Sequence, residues 1–285
     1  DSVTERGQKH LRTLMAAARE GYRAVLFFCV QHGGARSAGP ADDVDPVYGQ
    51  LLREAAGAGG EILAWRTRMS TGEFVLDAPV PVPAWSQPGD PRGTITLRQL
   101  LTMSSGIDHV EDGEPVTAGD TVRMLFQDGA RDMAAYAEAK PLARAPGESF
   151  AYSTGSTMIL SDLMTRMLTN SEAPDVRRRA MQTFIDGRLK APGNLPSLTP
   201  EYDAHGTMIG GSILHMTARD YGRFGELLRR RGRTPAGHQI LPEKWIDLMT
   251  MPSRRNPAYG LHIWLNRPSD ISALMPGQAP ESLFG

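Results

Sequence analysis

Fifteen residues divide this chain. The stretch "PVPVPAWSQPGDPRG" (79–93) holds five prolines and two glycines. Each proline removes a backbone donor and fixes φ, so neither a helix interior nor a central strand can run through it. What lies on either side must build its own elements and its own core. The composition predicts a Pro/Gly linker over 83–93 between a unit at 1–82 and a unit at 94–285. A chain of 285 residues is long enough for two such units.

The front unit reads helix, strand, helix, strand. Leu11, Leu14, Met15 and Ala18 recur at helical spacing after Glu5. Residues 23–31, "RAVLFFCVQ", are a β-branched and aromatic run of strand length. Asp45-Pro46 is a helix start, with an N-cap followed by proline at the first helical position. "EILAWRTRM" is a second strand, parallel to the first if the intervening helix is a crossover, and "EFVLDAPV" is a candidate third. The expected class is α/β for this unit and mainly helical α+β for the rest.

Behind the prolines, helices are predicted from Thr96 toward Gly106, at 117–127, at 131–139, beginning with "YSTGSTMILSDLMTRML", from Pro174 to about Gly187, from Thr217 to Gly232, and over "LPEKWIDLMT". "HGTMIGGSILHM" and "YGLHIWLN" read as strands.

Charge excludes little but is still informative. The net formal charge is −1. Residues 1–85 carry 9 Lys/Arg against 10 Asp/Glu, and the remainder carries 22 of each. Neither part is a basic domain of the kind that binds nucleic acid through phosphates. Cys29 is the single cysteine, which rules out an internal disulfide. No stretch reaches the ~20 apolar residues of a membrane span. A cytoplasmic location, no membrane partner and no cofactor are expected.

Four blocks carry a family likeness: "TITLRQLLTMSSGID", "PGESFAYSTGSTMILSDLM", "GGSILHMTARDYGRFGELL" with "ILPEKWID", and "YGLHIWLN". In this order they resemble the serine β-lactamase-like hydrolases, in the branch of class C β-lactamases, esterases and nylon-oligomer hydrolases. The resemblance implies acyl transfer to small ester or amide substrates. That chemistry uses a nucleophilic Ser, a Lys three residues later, a Tyr base, and a late Lys/His-[Ser/Thr]-Gly strand. By its block, Tyr152 matches the Tyr base. Thr154 stands where class C enzymes have Asn, a departure that points away from a true β-lactamase.

The lysines then count against activity. Only Lys9, Lys140, Lys190 and Lys244 are present, and the residues three places earlier are Arg6, Ala137, Gly187 and Leu241. No Ser-x-x-Lys exists in the chain, and after His262 there is neither Lys nor His. No nucleophile is identified: Ser104 and Ser105 read as a helix end, Ser153 and Ser156 as a helix start. His109, His205, His215, His238 and His262 lack metal-ligand spacing and read as packing or surface histidines. Without a lysine beside it, Tyr152 is expected to keep the pKa of a free phenol, near 10, as a vestigial base.

The front unit carries a different likeness. "DSVTERGQKHLRTLMAAAREGYRAVLFFCVQ" and "PADDVDPVYGQLLREAAGAGGEILAWRTRMS" resemble the C-terminal part of the sugar fermentation stimulation protein family. That resemblance implies a bacterial, nuclease-like α/β fragment and offers DNA binding or sugar-metabolism regulation as an alternative function. Glu5 and His10 are the residual candidates for a metal or phosphate site, with no complete metal site expected. The whole reads as a hybrid. It is expected to be a fusion that lost both parent functions, a chimera or fragment, or a repurposed binding scaffold.

Overall fold

The computed structural model describes residues 5–30, 39–66 and 76–271. The chain divides into two compact units between Val75 and Leu76.

In the first unit, α1 (Glu5–Arg19) and α2 (Pro46–Gly57) alternate with β1 (Val25–Val30) and β2 (Glu61–Arg66). The strands pair in parallel, with Val25 opposite Glu61 and Val30 opposite Arg66. The two helices pack through Leu11 and Met15 of α1 and Leu51, Leu52 and Ala55 of α2. These positions recur every three or four residues, so each helix buries one stripe. Asp45 caps α2 by accepting from the Tyr48 backbone N–H at 2.9 Å, and it also accepts from the Gln8 side chain at 3.0 Å. One carboxylate thus ties the start of α2 to α1. The candidate third strand fares differently: residues 73–75 lie outside the described residues, and 76–80 form only a bridge, Pro79 to Thr96.

The second unit is mainly helical. Its elements are α3 (Leu97–Leu101), α4 (Asp120–Phe126), α5 (Met133–Glu138), α6 (Thr154–Leu168), α7 (Pro174–Ile185), α8 (Ala218–Arg229) and α9 (Glu243–Met249). A two-residue antiparallel pair joins β3 (Thr199–Pro200) to β4 (Leu214–His215). The main core gathers Trp85, Ile95, Leu100, Met124, Met158 and Ile159 with several smaller neighbours.

Three expectations are corrected here. Residues 83–93 do not behave as a linker. Two 3-10 turns, Pro83–Trp85 and Pro91–Thr94, occupy the stretch, and Trp85 is 2% exposed within the core. Proline suits such turns because they need no interior donor. Next, "YGLHIWLN" is not a strand but a tight reversal in which Tyr259 bridges Trp264. Gly260 makes that reversal feasible, since a Cβ there would stand 1.9 Å from the Met249 carbonyl oxygen. Last, α3 stops at Leu101, five residues before Gly106. Met103 takes φ 54°, which ends the helix earlier than the glycine would.

The caps follow the sequence closely. Thr96 and Gln99 form a reciprocal capping box at α3. Ser153 caps α6 by accepting from the Ser156 backbone N–H at 3.1 Å. Ser153→Ala is expected to cost about 1 kcal/mol, read from the denaturant midpoint. An unchanged midpoint would show the cap to be dispensable.

Candidate functional site

Tyr152 sits one residue before the Ser153 cap, at the mouth of α6. It is 40% exposed. Its ring stacks on Trp264, with centroids 5.8 Å apart and planes 21° apart, and meets Tyr259 edge-on at 6.1 Å. Phe150 joins the same group through Tyr259 and Trp264. The 259–264 reversal therefore delivers two aromatic rings to the residue that the family likeness singles out.

Glu111 organises the other side. It accepts from the Thr154 backbone N–H at 2.7 Å and from the Thr154 hydroxyl at 2.5 Å. The His109 Nε2 lies 3.3 Å from the same carboxylate and 3.0 Å from the Thr121 hydroxyl. Burial works against the charge of Glu111, but these contacts to His109 and Thr154 hold its pKa below the ordinary carboxylate value. Thr154 thus serves as a ligand for Glu111, and both of its donors are taken at the first turn of α6. An acidic side chain at a helix N-terminus is also favoured by the orphan N–H groups there.

The consequence for Tyr152 runs against expectation. Its pKa does not stay at the free-phenol value but is pushed up, first by burial and then by the negative charge of Glu111. The charge acting on the hydroxyl is therefore of the wrong sign for a base.

None of the lysines supplies a hydrogen bond at Tyr152 or Glu111 among the described residues. Lys140 pairs with buried Asp120 and stands over the Tyr136 ring at 4.9 Å. Lys9 and Lys244 are exposed, and Lys190 lies in the π-turn after α7. The serines are structural in their contacts. Ser105 and Ser156 share a hydrogen bond at 3.3 Å, and Ser104 pairs with the Thr102 hydroxyl at 3.0 Å. All four candidate serines, Ser104, Ser105, Ser153 and Ser156, are buried.

His262 links the reversal to the helices. Its Nδ1 lies 3.0 Å from the Leu101 carbonyl, so Nδ1 donates. Nε2 then accepts from the Thr157 hydroxyl at 2.8 Å. Burial lowers its pKa, which keeps the imidazole neutral and this tautomer in place. The role of a positioning group for the reversal was hidden in the sequence, because its two partners lie more than a hundred residues upstream. Glu111 escaped notice for a related reason, and His109 read only as a packing or surface histidine: "IDHVE" has no recognised spacing.

In the first unit Glu5 and His10 are both exposed on α1. Among the described residues no group of three or more His, Cys, Asp or Glu side chains could hold a metal ion. No described helix is long and apolar enough to cross a membrane.

Comparison with known proteins matches this division. Residues 1–73 match the model for the sugar fermentation stimulation protein RE domain, and residues 67–285 match the beta-lactamase family model. Over 82 residues the chain is 61% identical to a sugar fermentation stimulation protein homolog of Alcanivorax borkumensis, covering 29% of this chain and 34% of that protein. The homolog of Teredinibacter turnerae is 58% identical over the same length, 29% of this chain and 35% of that one. The chain thus spans about a third of the length of the curated relatives it matches. Among solved structures, a Bacillus anthracis protein described as a 6-aminohexanoate-dimer hydrolase superposes with a TM-score of 0.52 at 21% identity. The match covers 67% of this chain and 52% of that one, and it is a likeness of fold. Because the family model takes in more than half of the residues, the chain belongs to the beta-lactamase family, as a hybrid whose front matches a sugar fermentation stimulation protein domain.

Proposed function

We propose that the second unit is a serine hydrolase-like shell that keeps the place of the acyl-transfer base at Tyr152 but does not hydrolyse esters or amides through an acyl-enzyme in this chain. The observation that carries this reading is the environment of the Tyr152 hydroxyl. Burial and Glu111 both raise its pKa, whereas a working base needs a neighbouring cation to lower it. The absence of any Ser-x-x-Lys supports the same conclusion from the nucleophile's side. The serines near Tyr152 are held in caps and hydroxyl pairs rather than beside an ammonium.

A fluorophosphonate probe should leave every serine of the purified chain unlabelled, and chromogenic esters and a chromogenic β-lactam should not turn over above the solvent rate. Covalent labelling of one serine, lost on Tyr152→Phe, would overturn the reading and restore an acyl-enzyme mechanism.

A further inference from the structure

Helix α5 ends in a buried acid. Glu138 is 6% exposed, and its Oε1 has no hydrogen-bond partner. Its main-chain carbonyl is held by two donors. The Trp85 indole N–H donates to the Glu138 carbonyl at 2.9 Å, and Arg92 Nη1 donates to it at 3.0 Å.

Among the described residues, no charged group is hydrogen-bonded to its side chain. On α6, Asp162 and Arg166 are bonded to one another, and Asp162 is also bonded to Arg177 of α7. Asp132, the cap of α5, adds a second negative charge. On the 203–207 segment, His205 faces Asp132 at 3.4 Å and Glu172 at 3.5 Å, while Asp203 accepts from the Met133 backbone N–H at 3.0 Å. Nearby Lys140 is taken by Asp120, and Arg92 by Asp90. Arg166 bonds Asp162 and Glu172, and Arg177 bonds Asp162 through Nη2 while its Nη1 is buried without a hydrogen-bond partner, so neither guanidinium is hydrogen-bonded to Glu138. An ionised Glu138 would be a buried carboxylate with no hydrogen-bonded cation, an arrangement the interior tolerates poorly.

Helix α5 also touches the candidate site. A Cβ built on Gly155 would stand 3.2 Å from the Ala137 Cβ and 2.8 Å from His109 Nδ1. Gly155 is the second residue of α6, three after Tyr152. The absence of a side chain there lets α5 lie directly on the turn that carries Tyr152.

We propose that Glu138 is the proton site of a latch: protonated, it keeps α5 docked on α6 and holds the Tyr152 turn; ionised, it loosens that contact. Burial and then Asp162 push the acid up to about 7. The folded state therefore binds the proton more tightly than the unfolded chain, whose Glu pKa is about 4.3. The stabilisation is complete below that value and is lost as pH rises through about 7.

The test follows the melting temperature, the Trp85 indole N–H shift and the Tyr152 ring signals of the full chain from pH 5 to 9. The Trp85 and Tyr152 signals should titrate together with a midpoint near 7, the melting temperature should fall toward that pH and level off above it, and Glu138→Gln should hold all three near their low-pH values. His205→Asn should leave the midpoint in place. An unchanged titration in Glu138→Gln, or its loss in His205→Asn, would overturn the proposal. If the glutamine variant does not fold, the carboxyl carbon shift of Glu138 in the unaltered chain decides. A midpoint near 7 supports the latch, and one below 5 sinks it. Tyr152 signals that stay fixed while Trp85 moves would sever the link to the site.

Discussion

Replacing Arg177 by methionine is expected to lower stability by about 3–5 kcal/mol. Arg177 is 0% exposed on α7. Its Nε donates to the His205 carbonyl at 3.0 Å, and its Nη2 donates to Asp162 and, at 2.9 Å, to the Thr207 hydroxyl. One guanidinium therefore joins α7, α6 and the 203–207 segment. Removing it leaves Asp162 buried with Arg166 as its remaining bonded cation, and leaves a carbonyl and a hydroxyl without their donor. The cost is that of a buried carboxylate left with one of its two cations, together with two acceptors that lose their donor, rather than the modest net worth of one pair. Arg179 lies two residues on, pairs with Asp175 on the surface and is exposed. Arg179→Met should therefore change stability by no more than about 0.5 kcal/mol. Urea midpoints of the two variants provide the comparison, and equal losses would contradict it. If Arg177→Met is too unstable to purify, adding Asp162→Asn should recover soluble protein, because it removes the stranded charge.

Trp85→Ala is expected to cost about 3–5 kcal/mol. The indole is buried among Val80, Val82, Ile95 and Leu100, and its N–H is bonded to the Glu138 carbonyl. Truncation opens a large cavity and also leaves a buried acceptor unpaired. Trp85→Phe should cost distinctly less, since it keeps most of the packing and loses the hydrogen bond. A Trp85→Ala loss below about 1 kcal/mol would show that residues 83–93 behave as the linker their composition suggests. Thermal and chemical denaturation of the full chain, followed through the second unit, distinguish the two.

This second case shows where composition misleads. Five prolines in fifteen residues do exclude helix and central strand, and the observed 3-10 turns obey that. Exclusion from regular structure is not exclusion from a core. Val80, Val82 and Trp85 alternate with prolines and turn inward, because the backbone needs few internal bonds there. The compact units divide further upstream, after Val75.

Helix starts were legible because capping is a local interaction. Asp45 before Pro46, Thr96 with Gln99, Ser153, and Thr217 each lie within three residues of the groups they satisfy. The parallel pairing of β1 and β2 was legible for a similar reason, since a helix of suitable length separates two strand-like runs. The 259–264 reversal was not. Its residues are β-branched and aromatic enough for a strand, but among the described residues no strand pairs with them, and close packing on Met249 and Leu101 bends the chain instead.

By itself, the sequence determined that the chain has two parts with different ancestries, that Tyr152 stands at a capped helix mouth, and that no lysine lies three residues beyond any serine. Those are properties of order and spacing along the chain. Only the tertiary structure decided which of three successive arginines is buried, which acid keeps its proton near neutrality, and which charge acts on Tyr152. Each of these depends on desolvation and on partners brought together from distant segments, and neither is encoded within a window of neighbouring residues.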